Sequence, residues 1–472
     1  MEDKGVMIGL ETHIQLDTES KLFCGCSADL SDEPNKNTCE VCLGMPGAKP
    51  RTNKKVLEYA LKACLALDCS INSEMRFSRK TYFYPDMSKN FQITQHETPV
   101  GENGVLKTKL GGEDREVRIK RIHMEEDPAK INHVGGGISS SNYTLLDYNR
   151  AGIPLIEVVT KPDLKSPKEA RNFLQKLTRI MEYLGIYDPS SDLSIKSDAN
   201  ISIEGGERVE VKNITGTKGI EKALNYEIMR QKNLKKRGRE IKRETRAYSA
   251  AQEITTSMRQ KESEAGYGYI VEPDLTLLRA DKSLVSEVEQ SIPELPDKKF
   301  ERFVKEYGLS EEVAESLITD KVLAEDFEEL AETHDHNILA NWMSKELKKT
   351  LNYNEKTYSE ICGGKENVSY LVKLLEKDSI TDLNAEKALR KVVEEGISAE
   401  KVVEEEDLLK SSSDEVDGFI SEAVSENPGA VEDVLSGKDG AINFLVGQVM
   451  KKSKGKVDPK KARELLEKEI KE

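Results

Sequence analysis

No stretch of this chain approaches the roughly 18 consecutive apolar residues that a membrane span requires, so no membrane partner is expected. Positive charge is also short: the formal net charge is −15, which argues against a protein that coats nucleic acid generally but leaves room for local basic patches. Cysteine is sparse, seven in 472 residues, and four of the seven fall in metal spacing. That usage reads as a reducing, cytoplasmic setting rather than a disulfide framework. The acidic opening MEDKGVMIGL enters a strand pattern at once and does not read as a signal peptide. There is no internal repeat and no G-x4-G-K-[ST] phosphate loop. The run Gly135-Gly136-Gly137 with Ser139-Ser140-Ser141 has no Ser/Lys or Ser/His pattern beside it and reads as a mobile hairpin tip.

What is present is the composition of a globular protein with a heavily charged surface, 37% hydrophobic and 33% charged, too long for one ordinary core. Residues 1 to about 290 hold most of the glycine and aromatics and many short period-2 segments. The spacing predicts helices over 54–67 and 167–184 and a basic helix over 222–239. Strands are predicted around 116–127, 193–203 and 208–213. From about 293 the chain becomes helical and dense in Glu and Lys, and a polar hinge near 407–418 precedes a small helical module. That module has its own candidate core in Phe419, Val424, Val431, Val434, Phe444, Leu445 and Val449. The expected class is α+β: a large, mainly antiparallel cradle domain over 1–292, an all-α domain over 293–408 and an α-helical tail over 409–472.

Residues 9–47 concentrate the chemistry. Leu10, Thr12, Ile14 and Leu16 alternate with Glu11, His13 and Gln15, so one strand face is mostly apolar and the other carries acid, imidazole and amide. Two later strands repeat the pattern. In IHMEED, Ile122 and Met124 are the core side, leaving His123, Glu125 and Asp127 opposite; in LSIKSDANISI, Lys196, Asp198, Asn200 and Ser202 point away from the core. Three strands thus each offer an acid on a non-core face. Such an oxygen-rich group suits Mg2+, which takes one or two carboxylates plus substrate phosphates. Lys80, Lys89, Lys130, Lys212 and Arg150 could neutralise those phosphates. The plainer alternative is a solvated sheet face.

Directly after the first strand come Cys24 and Cys26, then twelve residues, then Cys39 and Cys42. Two close pairs joined by one loop supply the four soft ligands of a structural zinc, with no ligand position left for catalysis. The aromatic run Tyr82-Phe83-Tyr84 is expected to fill a core in preference to stacking on a base. The basic runs at 232–242 and 451–461 suit phosphate contact or a solvated helix face equally.

The motifs GLETHIQL, SKLFCGC, CEVCLGMPG, RKTYFYPDMSKNFQITQ, HMEED, DYNRAGIPLIEV, DANISI, EVKNITG, ETRAY, MRQKE, EPDL and FLVGQVMKKSKGK run in order over nearly the whole chain. Together they resemble the B subunits of the tRNA-dependent aspartyl/glutamyl amidotransferases. The resemblance implies ATP-dependent activation of the side-chain carboxylate of a misacylated tRNA, Asp on tRNA(Asn) or Glu on tRNA(Gln). Ammonia would then come from an amidase-type glutaminase, the A subunit of such complexes, with a small C subunit joining the pair. By the same resemblance Glu11, His13 and Glu125 are the magnesium-side residues, with Glu126 as the alternative to Glu125. Lys80, Lys89 and Lys212 would face phosphate or the acyl group, and Asn149, Arg150, Asp198 and Asn200 the substrate. The tail would contact the tRNA body through Lys451, Lys452, Lys454 and Lys456. KNITG, KSDANIS and YGYIVEPDL depart from the family's usual KNLNS, RCDANVS and YRYFPEPDL, and lean toward the archaeal glutamyl-specific large subunit. That relative carries an inserted synthetase-like domain for which 472 residues leave little room. A non-catalytic tRNA-binding scaffold of the same fold is the other alternative.

Overall fold

The first strand, β1 (Met7–Gln15), is paired on both edges, antiparallel to strands that lie about 145 and 185 residues further on. Its alternation is realised: Ile8, Leu10, Thr12 and Ile14 are sealed from solvent, while Glu11 and His13 remain partly open. A slip of one residue would drive Glu11 and His13 into the core and expose the apolar set, so the register is strongly specified. Each fully buried Leu or Ile is worth about 1.5–3 kcal/mol over its exposed state, which outweighs any local preference for another register.

The computed structural model describes residues 5–30, 32–110, 113–135, 141–189, 194–258 and 267–471. After β1 come β2 (Ser70–Ile71), β3 (Glu74–Met75), β4 (Ser78–Thr81), β5 (Phe91–Thr94), β6 (Gly101–Leu110) and β7 (Glu113–Glu126). Next are β8 (Lys130–Val134), β9 (Tyr143–Asp147), β10 (Pro154–Thr160), β11 (Ile195–Ser202) and β12 (Val209–Thr215). The last four are β13 (Glu244–Ser249), β14 (Ile254–Ser257), β15 (Ile270–Val271) and β16 (Leu278–Arg279). Nine of them form one sheet in the order β14-β13-β12-β11-β1-β10-β7-β6-β2, with β1 at its centre. Every pair in it is antiparallel except β12 with β13, which are joined by a helical crossover as a parallel pair requires. A separate three-stranded sheet, β15-β4-β5, carries Lys80.

Helices cover one face of the large sheet: α1 (Lys54–Ala66) packs on β6 and β7, α2 (Pro167–Tyr183) on β6, and α3 (Gly216–Lys236) on β11, β12 and β14. α2 starts where its sequence signals say. Ser166 and Glu169 form a reciprocal capping box, Pro167 takes the first turn, and Gly185 follows the end with φ +67°. α3 begins at Gly216, six residues before the predicted basic helix: Thr215 makes no side-chain cap hydrogen bond, and Gly216 and Gly219 weaken the helical signal of the first turn.

The chain divides into two units, Met1–Pro296 and Asp297–Glu472. The second is helical among its described residues and holds two apolar cores, one spanning Phe303 to Leu408 and one spanning Val416 to Leu466. The polar segment near 407–418 is not a free hinge: Leu408 is buried, Leu409 bridges to Ile380, and a helix starts at Ser413. Phe444, predicted as tail core, stands 50% exposed, whereas Leu445 and Val449, predicted with it, are buried there beside Ile442. The aromatic run also departs from expectation. The strand ends at Thr81, and Phe83 lies outside the core, 78% exposed. Residues 136–140 of the Gly/Ser run and most of MRQKE lie outside the described residues.

Close backbone approach makes one glycine diagnostic. A methyl group at Gly104 would meet Leu67 O at 2.4 Å and Cys69 Sγ at 2.3 Å, whereas one at Gly447, inside the helix Asp439–Lys452, would meet nothing. Gly104→Ala is therefore expected to destabilise the first unit by about 1–3 kcal/mol through overpacking. Gly447→Ala is expected to stabilise the tail by about 0.5–1 kcal/mol through helix propensity. Denaturant unfolding of the two variants checks both signs.

Candidate functional site

With helices on one face, the other face of the central strands is free to gather polar side chains. The register aligns them: Glu11 opposite Asp198, His13 opposite Glu157, Glu157 opposite His123, and Asn200 opposite Glu210. Residues directly opposite in an antiparallel pair share a face, so five strands deliver their chemistry to one place.

Two groups result. In the first, His13 Nε2 lies 3.3 Å from Glu125 Oε1 and 3.8 Å from Glu157 Oε2, and His123 Nε2 lies 3.0 Å from Glu157 Oε2. His13, Glu125 and Glu157 place a nitrogen and two carboxylate oxygens within 4.8 Å of one another. Burial opposes the imidazolium of His13, but Glu157 and Glu125 outweigh it and push its pKa up to about 10. Burial likewise opposes the charge on Glu157, yet His123, His13 and Lys80 hold that carboxyl well below the usual range. Lys80 reaches this group from the small sheet, with its ammonium 4.9 Å from the Tyr267 ring centre and held charged, against burial, chiefly by Glu125.

In the second group, Glu11, Asp198 and Glu210 bring three carboxylate oxygens within 4.8 Å. Lys212 sits among them, 2.7 Å from Asp198 Oδ2 and 2.6 Å from Glu210 Oε1, and those two acids raise its pKa against the effect of burial. Asn200 donates to Glu11 Oε1 at 3.0 Å. Burial, with Glu157 nearby, pushes the Glu11 carboxyl up. Asp127 takes a hydrogen bond from Gln15 and lies 3.6 Å from Arg150 Nε at the end of the same face.

Not every residue singled out from the sequence arrives there. Glu126 falls on the other face of β7 and accepts from Lys89 and from the Ile93 amide, so these two residues pair with each other and not with His13. They line a separate cavity of about 210 Å³ beside Cys24, Cys42 and Arg79. Asn149 accepts from the Asn37 amide at 2.8 Å and donates to Glu33 O at 2.9 Å, while Arg150 donates to Pro128 O and Ala129 O. Both brace loops. Lys130 is exposed on β8. In the second unit Lys451 and Lys454 are exposed, whereas Lys452 pairs with Glu422 and Glu426, and Lys456 with Asp407.

Sequence reasoning missed Glu157 and Glu210. Each left a signal: Glu157 is the lone charge in the otherwise apolar strand PLIEVVT, and Glu210 lies two residues before Lys212, on the same face.

The four loop cysteines converge as well, with all four sulfurs within 4.8 Å of one another. A tetrahedral zinc with bonds of roughly 2.3 Å needs sulfurs about 3.8 Å apart, which this spacing accommodates. Hydrogen bonding from Cys24, the Cys39 amide at 3.1 Å and the Lys21 ammonium hold the Cys42 thiol down to about 5 against burial. Lys21 is itself buried and donates to Asn37 O at 2.7 Å and Tyr148 O at 3.1 Å, tying the loop to the turn after β9.

Comparison with known proteins follows the same lines. Residues 6–286 match the family model described as the GatB/GatE catalytic domain, and residues 325–470 match that described as the GatB domain. The chain is similar to the B subunit of the aspartyl/glutamyl-tRNA(Asn/Gln) amidotransferase of Natronomonas pharaonis, with 46% identity covering 98% of this chain and 97% of the relative. It is 48% identical to the protein of that description from Methanospirillum hungatei, with 97% of each chain covered. Matches of this extent show the family. The chain belongs to the family of aspartyl/glutamyl-tRNA(Asn/Gln) amidotransferase B subunits.

Proposed function

We propose that this chain activates the side-chain carboxylate of a misacylated tRNA, Asp-tRNA(Asn) or Glu-tRNA(Gln), with ATP and delivers it to ammonia. One observation carries the reading: the open sheet face joins two acid clusters to Lys80 and Lys212. A carboxylate is a poor electrophile. Its oxygen attacks the terminal phosphorus of ATP, ADP leaves, and the acyl phosphate has a good leaving group. Ammonia then adds to the carbonyl carbon and phosphate departs, leaving the amide.

Phosphoryl transfer depends on positioning and charge neutralisation more than on covalent help. Lys80 and Lys212 offset the repulsion between an incoming carboxylate and a polyphosphate. His13, Glu125 and Glu157 form a nitrogen-and-oxygen donor set that suits a hard cation, and Glu11, Asp198 and Glu210 an all-oxygen one. Mg2+ held there would neutralise phosphoryl oxygens and orient the nucleotide. Asn200 orients Glu11, and His123 orients Glu157. Ammonia would come from an amidase-type glutaminase, the A subunit, with a small C subunit joining the complex, in the cytoplasm. The Cys24, Cys26, Cys39 and Cys42 loop would hold structural zinc. The coverage of the B-type relatives at 97% of their length favours this reading over the longer glutamyl-specific large subunit.

Three outcomes are expected. Glu11→Gln and Glu157→Gln should each lower amidation by the reconstituted complex by about 10²–10³-fold while its glutaminase activity persists; normal amidation by either variant removes that residue from the site. Elemental analysis should find one zinc per chain, lost in Cys42→Ser; zinc-free wild-type protein would refute the knuckle. Lys451→Glu with Lys454→Glu should weaken tRNA binding and flatten the slope of log affinity against log salt by about 2. An unchanged slope would mean that the tail does not touch phosphate.

A further inference from the structure

The aromatic run after Lys80 has no part in the chemistry above, yet its backbone is closely held. The Tyr82 amide donates to Asn90 O at 2.9 Å and the Met87 amide to Tyr84 O at 3.0 Å. From the neighbouring loop the Ala129 amide donates to Asp86 O at 2.9 Å, and the Tyr148 hydroxyl to Pro85 O at 2.7 Å. Asp86 and Met87 are buried beneath the turn. Above it Phe83 is 78% exposed and Tyr84 44%, with the Tyr82 and Tyr84 rings 6.0 Å apart and tilted by 38°.

A turn anchored from below that presents a phenyl ring to water is a stacking surface in search of a planar partner. Its position limits what that partner is. Three residues span at most about 11 Å, so Phe83 lies within that distance, Cα to Cα, of Lys80, which joins the Glu125 and Glu157 group. Tyr82 follows Lys80 by only two residues, so the run starts beside the cation that serves the Glu125 and Glu157 group. Resting on the function proposed above, the reacting carboxylate is tethered to its terminal adenine by one ribose and a short amino-acid chain. The adenine of ATP is separated from its reacting phosphorus by a ribose and two phosphates, a somewhat longer reach. Stacking also reads no sequence, which suits a terminal nucleotide shared by every charged tRNA.

We propose that Tyr82, Phe83 and Tyr84 form a ledge on which the 3′-terminal adenine of the charged tRNA stacks, placing the aminoacyl group over the polar sheet face. Trp342 is the chain's one tryptophan and is buried, so Phe83→Trp adds a distinct reporter to the assembled complex. Relative to the wild-type complex, its added emission should be quenched by an acceptor-stem minihelix ending in the terminal adenosine, and not by the same minihelix lacking that nucleotide. Phe83→Ala should raise KM for charged tRNA about 10-fold, with kcat and the KM for ATP changing less, and Phe83→Tyr should restore it. Equal quenching by the shortened minihelix overturns the proposal. So does quenching by ATP alone, which would make the ledge a nucleotide site. Loss of the Trp signal on assembly with the partner subunits, with no response to RNA, overturns it as well and marks an interface. A wild-type complex that amidates no charged tRNA would refute the underlying reading, while the minihelix comparison still decides the ledge.

Discussion

Like charges held together on one sheet face are the constraint from which the rest of this structure follows. Two carboxylates about 4 Å apart repel by about 4 kcal/mol at the effective dielectric of a protein surface. Such groups persist only if something else fixes the backbone and something cationic answers the charge. The backbone is fixed by the opposite face, where Ile8, Leu10 and Ile14 of β1 and their neighbours lie sealed beneath three helices. The charge is answered in part by Lys80, Lys212 and His13. What those residues leave unanswered is an affinity for further cations, and that is the property a site for phosphoryl chemistry needs.

The loops around the sheet serve the same end. The cysteine loop is tied by Lys21 and Asn149 to the turn after β9, more than a hundred residues away in sequence. Leu22 also donates to Gly152 O just before β10, the strand that carries Glu157. Asn149 and Arg150, which the family resemblance assigns to substrate, act here as braces that set where the loops lie. The β15-β4-β5 sheet presents Lys80 from outside the large sheet, so the wall opposite the acids is a separate piece of structure.

Much of this was legible in the residues. Alternation in β1, β7 and β11 is a local property: side chains point to opposite faces every second residue, so polar and apolar faces can be assigned without a partner strand. Helix ends are local too, which is why Ser166, Pro167 and Gly185 mark α2 closely, whereas the uncapped start of α3 carries no such mark. Phe83 and Phe444 show the limit. Both are large and apolar and invite burial, but whether a side chain is covered depends on what packs above it; among the described residues Phe83 is left 78% exposed and Phe444 50%.

By itself, the sequence determined the two faces of β1, the pairing of four cysteines in one loop and the change from sheet-rich to helical character near residue 293. Tertiary structure alone decided which acids meet. The pleat already turns the neighbours Glu125 and Glu126 to opposite sides, but only the fold brings His13 to the one and Lys89 to the other. Glu157 and Glu210 join the clusters only through the registers of β10 and β12. Those registers are set by apolar burial on the far face, so the chemistry of the near face is decided by residues that never touch it.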